Sequence, residues 1–202
     1  MTEEEARAWC DARFGGAASE RLDAFRVMVL KENDRQNLIS PASKDAIWSR
    51  HIVDSAQLVD YCHEDARTWF DIGSGPGFPG MIVALVTDLA VTLIEPRGRR
   101  IDFLHAVTDT LGVANVTIAK AKAEAVTGRA DVISARAVAS IPNLVTMTSH
   151  LRHANTRMIL PRGQNGGSEV AALPAKWRAM FHVEQSVTDP TSAIVIADGV
   201  KA

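Results

Sequence analysis

The residues best suited to chemistry lie between Asp71 and Glu95. The stretch Asp71-Ile72-Gly73-Ser74-Gly75-Pro76-Gly77-Phe78-Pro79-Gly80 follows an apolar run, opens an apolar helix, and is answered by Glu95 at the end of the next apolar run. A strand, a glycine turn, a helix and a second strand closing on a carboxylate make the first half of a nucleotide-type site. Two spacings overlap, Asp-x-Gly-x-Gly-x-Gly from Asp71 to Gly77 and Gly-x-Gly-x-x-Gly from Gly75 to Gly80. The second would hold a pyrophosphate on backbone N–H groups at the helix start, but Pro76 and Pro79 have no N–H to give. A donor-poor turn suits a nucleoside ligand without phosphates, and S-adenosylmethionine is one. It needs close backbone approach, which Gly73, Gly75 and Gly77 permit. It also needs carboxylates for its ammonium and ribose hydroxyls, tasks that fit Asp71 and Glu95. The competing reading is a glycine turn beside a carboxylate that only caps a strand.

The elements that must position these residues alternate along the chain. Strands are expected near 68–72, 91–95, 116–119, 131–135, 157–160, 181–187 and 193–197. Helices are expected near 80–87, 100–111, shortly after 124, and 141–151. Such alternation gives a mainly parallel α/β sheet with helices on both faces. The last two strands, joined through Thr188-Asp189-Pro190-Thr191-Ser192, read as a hairpin that adds an antiparallel strand. Seven strands ending this way fit a Rossmann-like class I methyltransferase sheet better than an NAD-binding one. Before residue 66 the chain reads as helices. Thr2 and Glu5 have capping-box spacing, Ser19 precedes a stripe of Leu22, Phe25, Val29 and Leu30, and 43–60 carries Ile47, Trp48, Ile52, Leu58 and Val59. The expected organisation is an N-terminal helical extension over 1–65 and a cofactor-binding domain over 66–202.

Composition narrows the function classes. No apolar run reaches membrane length, and the acidic start Met1-Thr2-Glu3-Glu4-Glu5 does not read as a secretion leader. A cytoplasmic protein without a membrane partner is expected. Cys10 and Cys62 lie far apart with no C-x-x-C spacing, and His150 with His153 lacks a third ligand, so no disulfide framework and no metal are expected. Residues 1–65 hold 8 Lys/Arg against 13 Asp/Glu, whereas 66–202 hold 14 against 11. A nucleic-acid substrate would therefore meet a local basic patch and not the whole surface. Arg97, Arg99 and Arg100 at the start of a helix supply such a patch, since cations there are unfavourable without an anion to meet. A solvated charge run is the alternative.

With S-adenosylmethionine as donor, the sequence limits the acceptor. Exocyclic base nitrogens commonly use an Asn/Asp-Pro-Pro-aromatic loop after the fourth strand, where this chain reads Ser134-Ala135-Arg136-Ala137-Val138. Attack through pyrimidine C5 needs a cysteine near that loop, and neither cysteine is close in sequence. Guanine N7 carries an in-plane lone pair and no proton at neutral pH, so positioning alone can suffice and no general base is expected.

Several motifs occur in order: Gln36-Asn37-Leu38-Ile39-Ser40, Arg50-His51-Ile52-Val53-Asp54-Ser55, Asp71 to Gly80, Leu93 to Leu104, Ala123-Glu124, Ile133 to Ala139, and Arg162-Gly163-Gln164. Across about 25–165 the chain closely resembles the bacterial 16S ribosomal RNA guanine-N7 methyltransferases once called glucose-inhibited division protein B. The resemblance implies a class I fold with an N-terminal helical extension, and methylation of a guanine in the 530 loop of 16S rRNA, as naked RNA or in the small ribosomal subunit. It implies cofactor contacts from Gly73, Phe78, Ala123, Glu124 and Arg136. Arg50 and His51 fall in a matching run, where RNA or active-site contact competes with helix packing. Arg162 stands where the family usually has Lys and is expected to contact RNA. The competing functions are a small-molecule methyltransferase, a non-catalytic RNA-binding or ribosome-assembly module, and an NAD-dependent oxidoreductase.

Overall fold

A computed structural model describes residues 1–200. Helix α1 (Glu3–Phe14) starts at a complete capping box, with the Thr2 side chain accepting from the Glu5 N–H and the Glu5 carboxylate accepting from the Thr2 N–H. Helix α2 (Gly16–Gln36) begins three residues before the expected Ser19, which lies inside it and is 2% exposed. The reason is Gly15, whose φ of 81° ends α1 and lets α2 start at once. Asn37, left-handed at φ 50°, closes α2. The next helical stretch is broken where one helix was expected. It runs as a 3-10 turn (Pro41–Ala46), a π-helix (Trp48–Val53), the single turn α3 (Asp54–Ala56) and a second 3-10 turn (Gln57–Tyr61). Its early N–H groups are satisfied from outside, because the Glu3 carboxylate accepts from the N–H groups of Trp48 and Ser49.

The sheet follows as β1 (Thr68–Ile72), α4 (Gly80–Val86), β2 (Ala90–Ile94), α5 (Gly98–Leu111), β3 (Val116–Ala119), a 3-10 turn (Ala123–Ala125), β4 (Ala130–Ala135), α6 (Ile141–Met147) and β5 (Arg152–Gly163). Two short helices, α7 (Gly166–Ala171) and α8 (Ala175–Arg178), lead to β6 (Phe181–Gln185) and β7 (Ala193–Asp198). The seven strands lie in the order β3-β2-β1-β4-β5-β7-β6. The first five are parallel, and β7 runs antiparallel between β5 and β6. Strand order reverses between β1 and β4, which opens a crevice at their carboxyl ends. Among the described residues no helix is long and apolar enough to cross a membrane.

Alternation along β1 sorts its side chains. Trp69 joins one core cluster with Phe25, Ile52, Met81 and Leu104, while Phe70 and Ile72 join another with Ile133, Leu144 and Leu160. Asp71 shares the Trp69 face and so points toward the start of α4. The helices before residue 66 are packed into that first cluster rather than tethered to it, since Leu22, Phe25 and Val29 are 0% exposed there.

Candidate active site

The turn after β1 uses every N–H it has. Gly73 and Ser74 donate to the Ile94 carbonyl at 2.8 and 3.1 Å, Gly77 and Phe78 donate to the Ser74 carbonyl at 2.8 and 3.1 Å, and Met81 donates to the Gly77 carbonyl at 2.8 Å. Gly75 donates to Glu95 at 2.9 Å and Gly80 to Asp71 at 3.1 Å. Pro76 and Pro79 contribute none. No backbone donor between residues 73 and 81 is left for a phosphate.

Above the turn lies a cavity of about 440 Å³, reached by Gly73, Gly75, Phe78, Glu95, Arg97, Arg136 and Val138. At Gly75, φ is 56° and a Cβ would meet nothing nearer than the Gly73 carbonyl oxygen at 3.9 Å, so it would project into open space. At Gly77, φ is 107° and a Cβ would stand 2.7 Å from that of Met81. Gly75 thus leaves room for a ligand, while Gly77 leaves room for α4.

Glu95 is 0% exposed and forms the wall at the end of β2. Its Oε1 accepts from the Arg97 N–H at 2.9 Å and Arg97 Nε at 2.8 Å; its Oε2 accepts from the Gly75 N–H and from Arg97 Nη2 at 3.2 Å. Burial raises its pKa, but these bonds outweigh burial and hold it below the usual carboxylate range. Glu95 is a fixed anion at a nucleoside-sized cavity.

Asp71 sits elsewhere than the sequence suggested. It is 0% exposed, accepts from Ser134 Oγ at 2.7 Å and from the Gly80 N–H, and Ser134 Oγ in turn accepts from Trp69 Nε1 at 2.8 Å. Burial pushes its pKa up to about 6, against the bonds from Ser134, Ser74 and Gly80. Asp71 pins the turn to α4 from below and does not face the cavity.

Phe78 is clamped on several sides. His51 stacks on it at 4.9 Å with planes 22° apart, Phe25 meets it edge-on at 5.4 Å, and the Arg136 guanidinium carbon lies 5.2 Å from its centroid. Burial, then Arg136 and Arg50, lower the His51 pKa to about 3, so the ring is neutral. Arg136 also faces Asp54 at 3.6 Å and donates to the Arg50 carbonyl at 3.4 Å. Burial raises the Asp54 pKa, with Arg136 acting against it. The next residue, Ala137, has a φ of 55°, an uncommon conformation for a residue with a Cβ. Arg136 and Ala137 border a second cavity of about 380 Å³, which Asp54, Arg162, Glu169 and Ala193 also line.

The sequence-predicted residues therefore divide. Gly73, Gly75, Phe78, Glu95, Arg97 and Arg136 gather at one cavity. Ala123 is 3% exposed in the core and Glu124 is exposed on the 3-10 turn after β3; neither lines that cavity. Arg100 is tied to the Gln36 and Asn37 carbonyls at 3.4 and 3.1 Å, not turned outward for RNA. The Arg162 side chain is 7% exposed and donates to the Ala139 carbonyl at 2.8 Å, so it braces the loop after β4 and borders the second cavity instead of the outer surface. Arg50 and Arg99 are exposed. Among the described residues no group of three His, Cys, Asp or Glu is placed to hold a metal; His150 meets the Val126 carbonyl and His153 meets Asp131. Sequence reading missed Ser134, Asp54 and Val138. Ser134 was legible only as the β4 residue opposite Asp71.

The donor-free turn, the open face at Gly75 and the buried Glu95 anion fit S-adenosylmethionine and do not fit a pyrophosphate. Fold and site together define a class I S-adenosylmethionine-dependent methyltransferase. Its sheet resembles that of a ribosomal protein methylase from Lactobacillus delbrueckii subsp. bulgaricus, with TM-score 0.60 and 13% identity over 73% of this chain and 77% of that one. It also resembles MtNAS in complex with S-adenosylmethionine, with TM-score 0.56 and 14% identity over 99% and 85% of the two chains. Residues 18–193 match the family described as rRNA small subunit methyltransferase G. The ribosomal RNA small subunit methyltransferase G of Rhizorhabdus wittichii is 43% identical over 100% of this chain and 94% of that protein. The chain belongs to this family, and S-adenosylmethionine is its methyl donor.

Proposed function

We propose that the protein methylates N7 of a guanine in the 530 loop of 16S rRNA. The observation that carries this reading is the make-up of the second cavity. Its lining offers no cysteine nucleophile and no Asn/Asp-Pro-Pro-aromatic loop; it offers two carboxylates, Asp54 and Glu169, and the paired cations Arg136 and Arg162. Carboxylates accept from the N1–H and N2–H groups of guanine, which leaves N7 on another edge with its lone pair free. Bound S-adenosylmethionine supplies an electrophilic methyl on a sulfonium. Within this reading Gly75 admits the ligand, Gly73 makes room for Val138, where a Cβ would stand 2.6 Å from Cγ2, Glu95 orients the ribose, and Phe78 and Arg136 separate the two cavities. Asp71 and Gly77 act through the shape of the turn. Arg50, Arg97 and Arg99 meet RNA phosphates at the rim. Because N7 has no proton to lose, alignment of donor and acceptor does the work that a general base does elsewhere. The N7 edge is inaccessible inside A-form RNA, so the guanine comes from a loop or an opened structure. Such a substrate places the enzyme in the cytoplasm.

The test is nucleoside mass spectrometry of small-subunit rRNA from cells with and without the gene, with the position mapped on both naked rRNA and the particle. Loss of 7-methylguanosine is expected. Loss of a methyl from an exocyclic nitrogen, a ribose or a pyrimidine carbon overturns the assignment.

A further inference from the structure

We propose that Arg97 forms a phosphate-binding site that opens only when the cofactor is bound, so that cofactor loading strengthens the grip on RNA. The inference rests on the rRNA methylation reading above.

A carboxylate has about four acceptor positions, and at Glu95 all are taken. Two are held by the backbone N–H groups of Gly75 and Arg97, and two by Nε and Nη2 of the Arg97 side chain. Ribose hydroxyls that donate to Glu95 must therefore displace a donor. The backbone donors are fixed by the turn and by the start of α5. The Arg97 side chain is 65% exposed, whereas Glu95 is 0% exposed. Of the four donors only the Arg97 side chain can swing into water without moving the backbone, so it is the donor that yields.

Its destination is already cationic. Arg99 and Lys120 are both exposed, and the Lys120 ammonium lies 3.4 Å from where a Cβ on Gly98 would stand. Neither forms an ion pair among the described residues. Arg100 stays tied to the α2 terminus. A released Arg97 guanidinium joins Lys120 beside Gly98 and Arg99 one residue on; Arg99 also borders Glu32 and Asp102 but pairs with neither, so the group remains suited to RNA phosphate oxygens. Without cofactor, Glu95 neutralises Arg97 and the patch is weaker by one charge. Binding free energies being reciprocal, RNA must strengthen cofactor binding by the same factor.

The test uses S-adenosylhomocysteine, which keeps the ribose hydroxyls and has no methyl to transfer, and small-subunit rRNA binding measured over a range of salt. For the wild type, S-adenosylhomocysteine is expected to tighten RNA binding about 3- to 10-fold and to steepen the salt dependence by about 0.7–0.9, the contribution of one phosphate contact. In Arg97→Ala, S-adenosylhomocysteine should bind at least as tightly as to the wild type, while the tightening of RNA and the change in slope disappear. Arg97→Lys, which keeps the charge without the fork, should retain part of the coupling. Weaker cofactor binding by Arg97→Ala, or undiminished coupling in it, overturns the proposal. A wild-type methylation assay run alongside separates the two levels: methylation without coupling rejects the Arg97 site alone, and no rRNA methylation rejects the reading beneath it.

Discussion

Replacing Asp71 by Asn isolates one buried charge. The carboxylate is 0% exposed, and burial lifts its pKa from 3.8 to about 6. That shift of about 2 units corresponds to about 3 kcal/mol, at ~1.4 kcal/mol per unit. Between about pH 4 and about pH 6 the folded chain keeps a proton that the unfolded chain has already released. Asp71 therefore contributes stability that is complete below the unfolded pKa and is lost as pH rises through about 6. Asn has no such proton, yet it keeps an acceptor for the Gly80 N–H and turns an amide toward Ser134 Oγ. Relative to the wild type, Asp71→Asn should gain about 2 kcal/mol between about pH 4.5 and about pH 7.5, the part of the shift that falls in that window. Urea unfolding at intervals of pH gives the comparison directly. A stability gap that stays constant across the window, or closes in the opposite direction, refutes the argument. Cofactor affinity of the same samples near pH 8 should stay within about threefold of the wild type, because the carboxylate holds the turn from below and does not line the cavity.

Glu95→Ala should weaken S-adenosylmethionine binding by about 1–3 kcal/mol, the cost of a charge-assisted hydrogen-bond partner; unchanged calorimetric affinity in a folded variant would assign the ribose to another group. Gly75→Ala should fold with a cost of about 1–2 kcal/mol for a Cβ at positive φ and lose the cofactor, whereas Gly77→Ala should cost more stability because its Cβ collides with Met81; equal thermal shifts would contradict the different surroundings of the two glycines. Arg99→Gln should flatten the salt dependence of RNA binding by about 0.7–0.9, while Arg162→Gln should leave it unaltered and destabilise the loop after β4; the reverse pattern would return Arg162 to the RNA surface. The His51 ring should show no NMR titration between about pH 5 and about pH 8, given its pKa of about 3; a midpoint near 6.5 would show that its packing on Phe78 is loose.

The sheet was legible because its signals are local. Apolar runs end at Asp71 and Glu95, and β1 and β3 occupy their expected spans. What the sequence hid depends on direction and on distant partners. The Asp-x-Gly-x-Gly-x-Gly spacing does not say that Asp71 faces Gly80 and Ser134; strand alternation, with Trp69 on the same face, decides that. Arg97 and Arg100 look alike in the sequence, but one meets Glu95 across a two-residue step and the other spans to the end of α2, a contact between residues 63 or 64 apart. Arg162 looks like a surface cation until the loop after β4 folds over it. Ser19 has the type of a helix cap, and only the backbone at Gly15 reveals that the helix has already begun. The α7 and α8 turns lack the long apolar stripe that marks a helix in sequence.

Among the described residues β6 pairs only with β7, and β7 fills the slot between β6 and β5. As the chain is synthesised, β6 is made before the strand that carries it, so it cannot dock on the parallel sheet by itself. Until β7 threads into place, Leu160 on β5 lacks its cross-strand neighbour Val195 and Phe181 on β6 lacks Ala197, and β5 presents an open edge of the kind that recruits foreign strands. The cofactor crevice, built from β1, β2 and β4, has no such dependence. The order of manufacture therefore completes the cavity beside Glu95 early and the second cavity, which Ala193 lines, last.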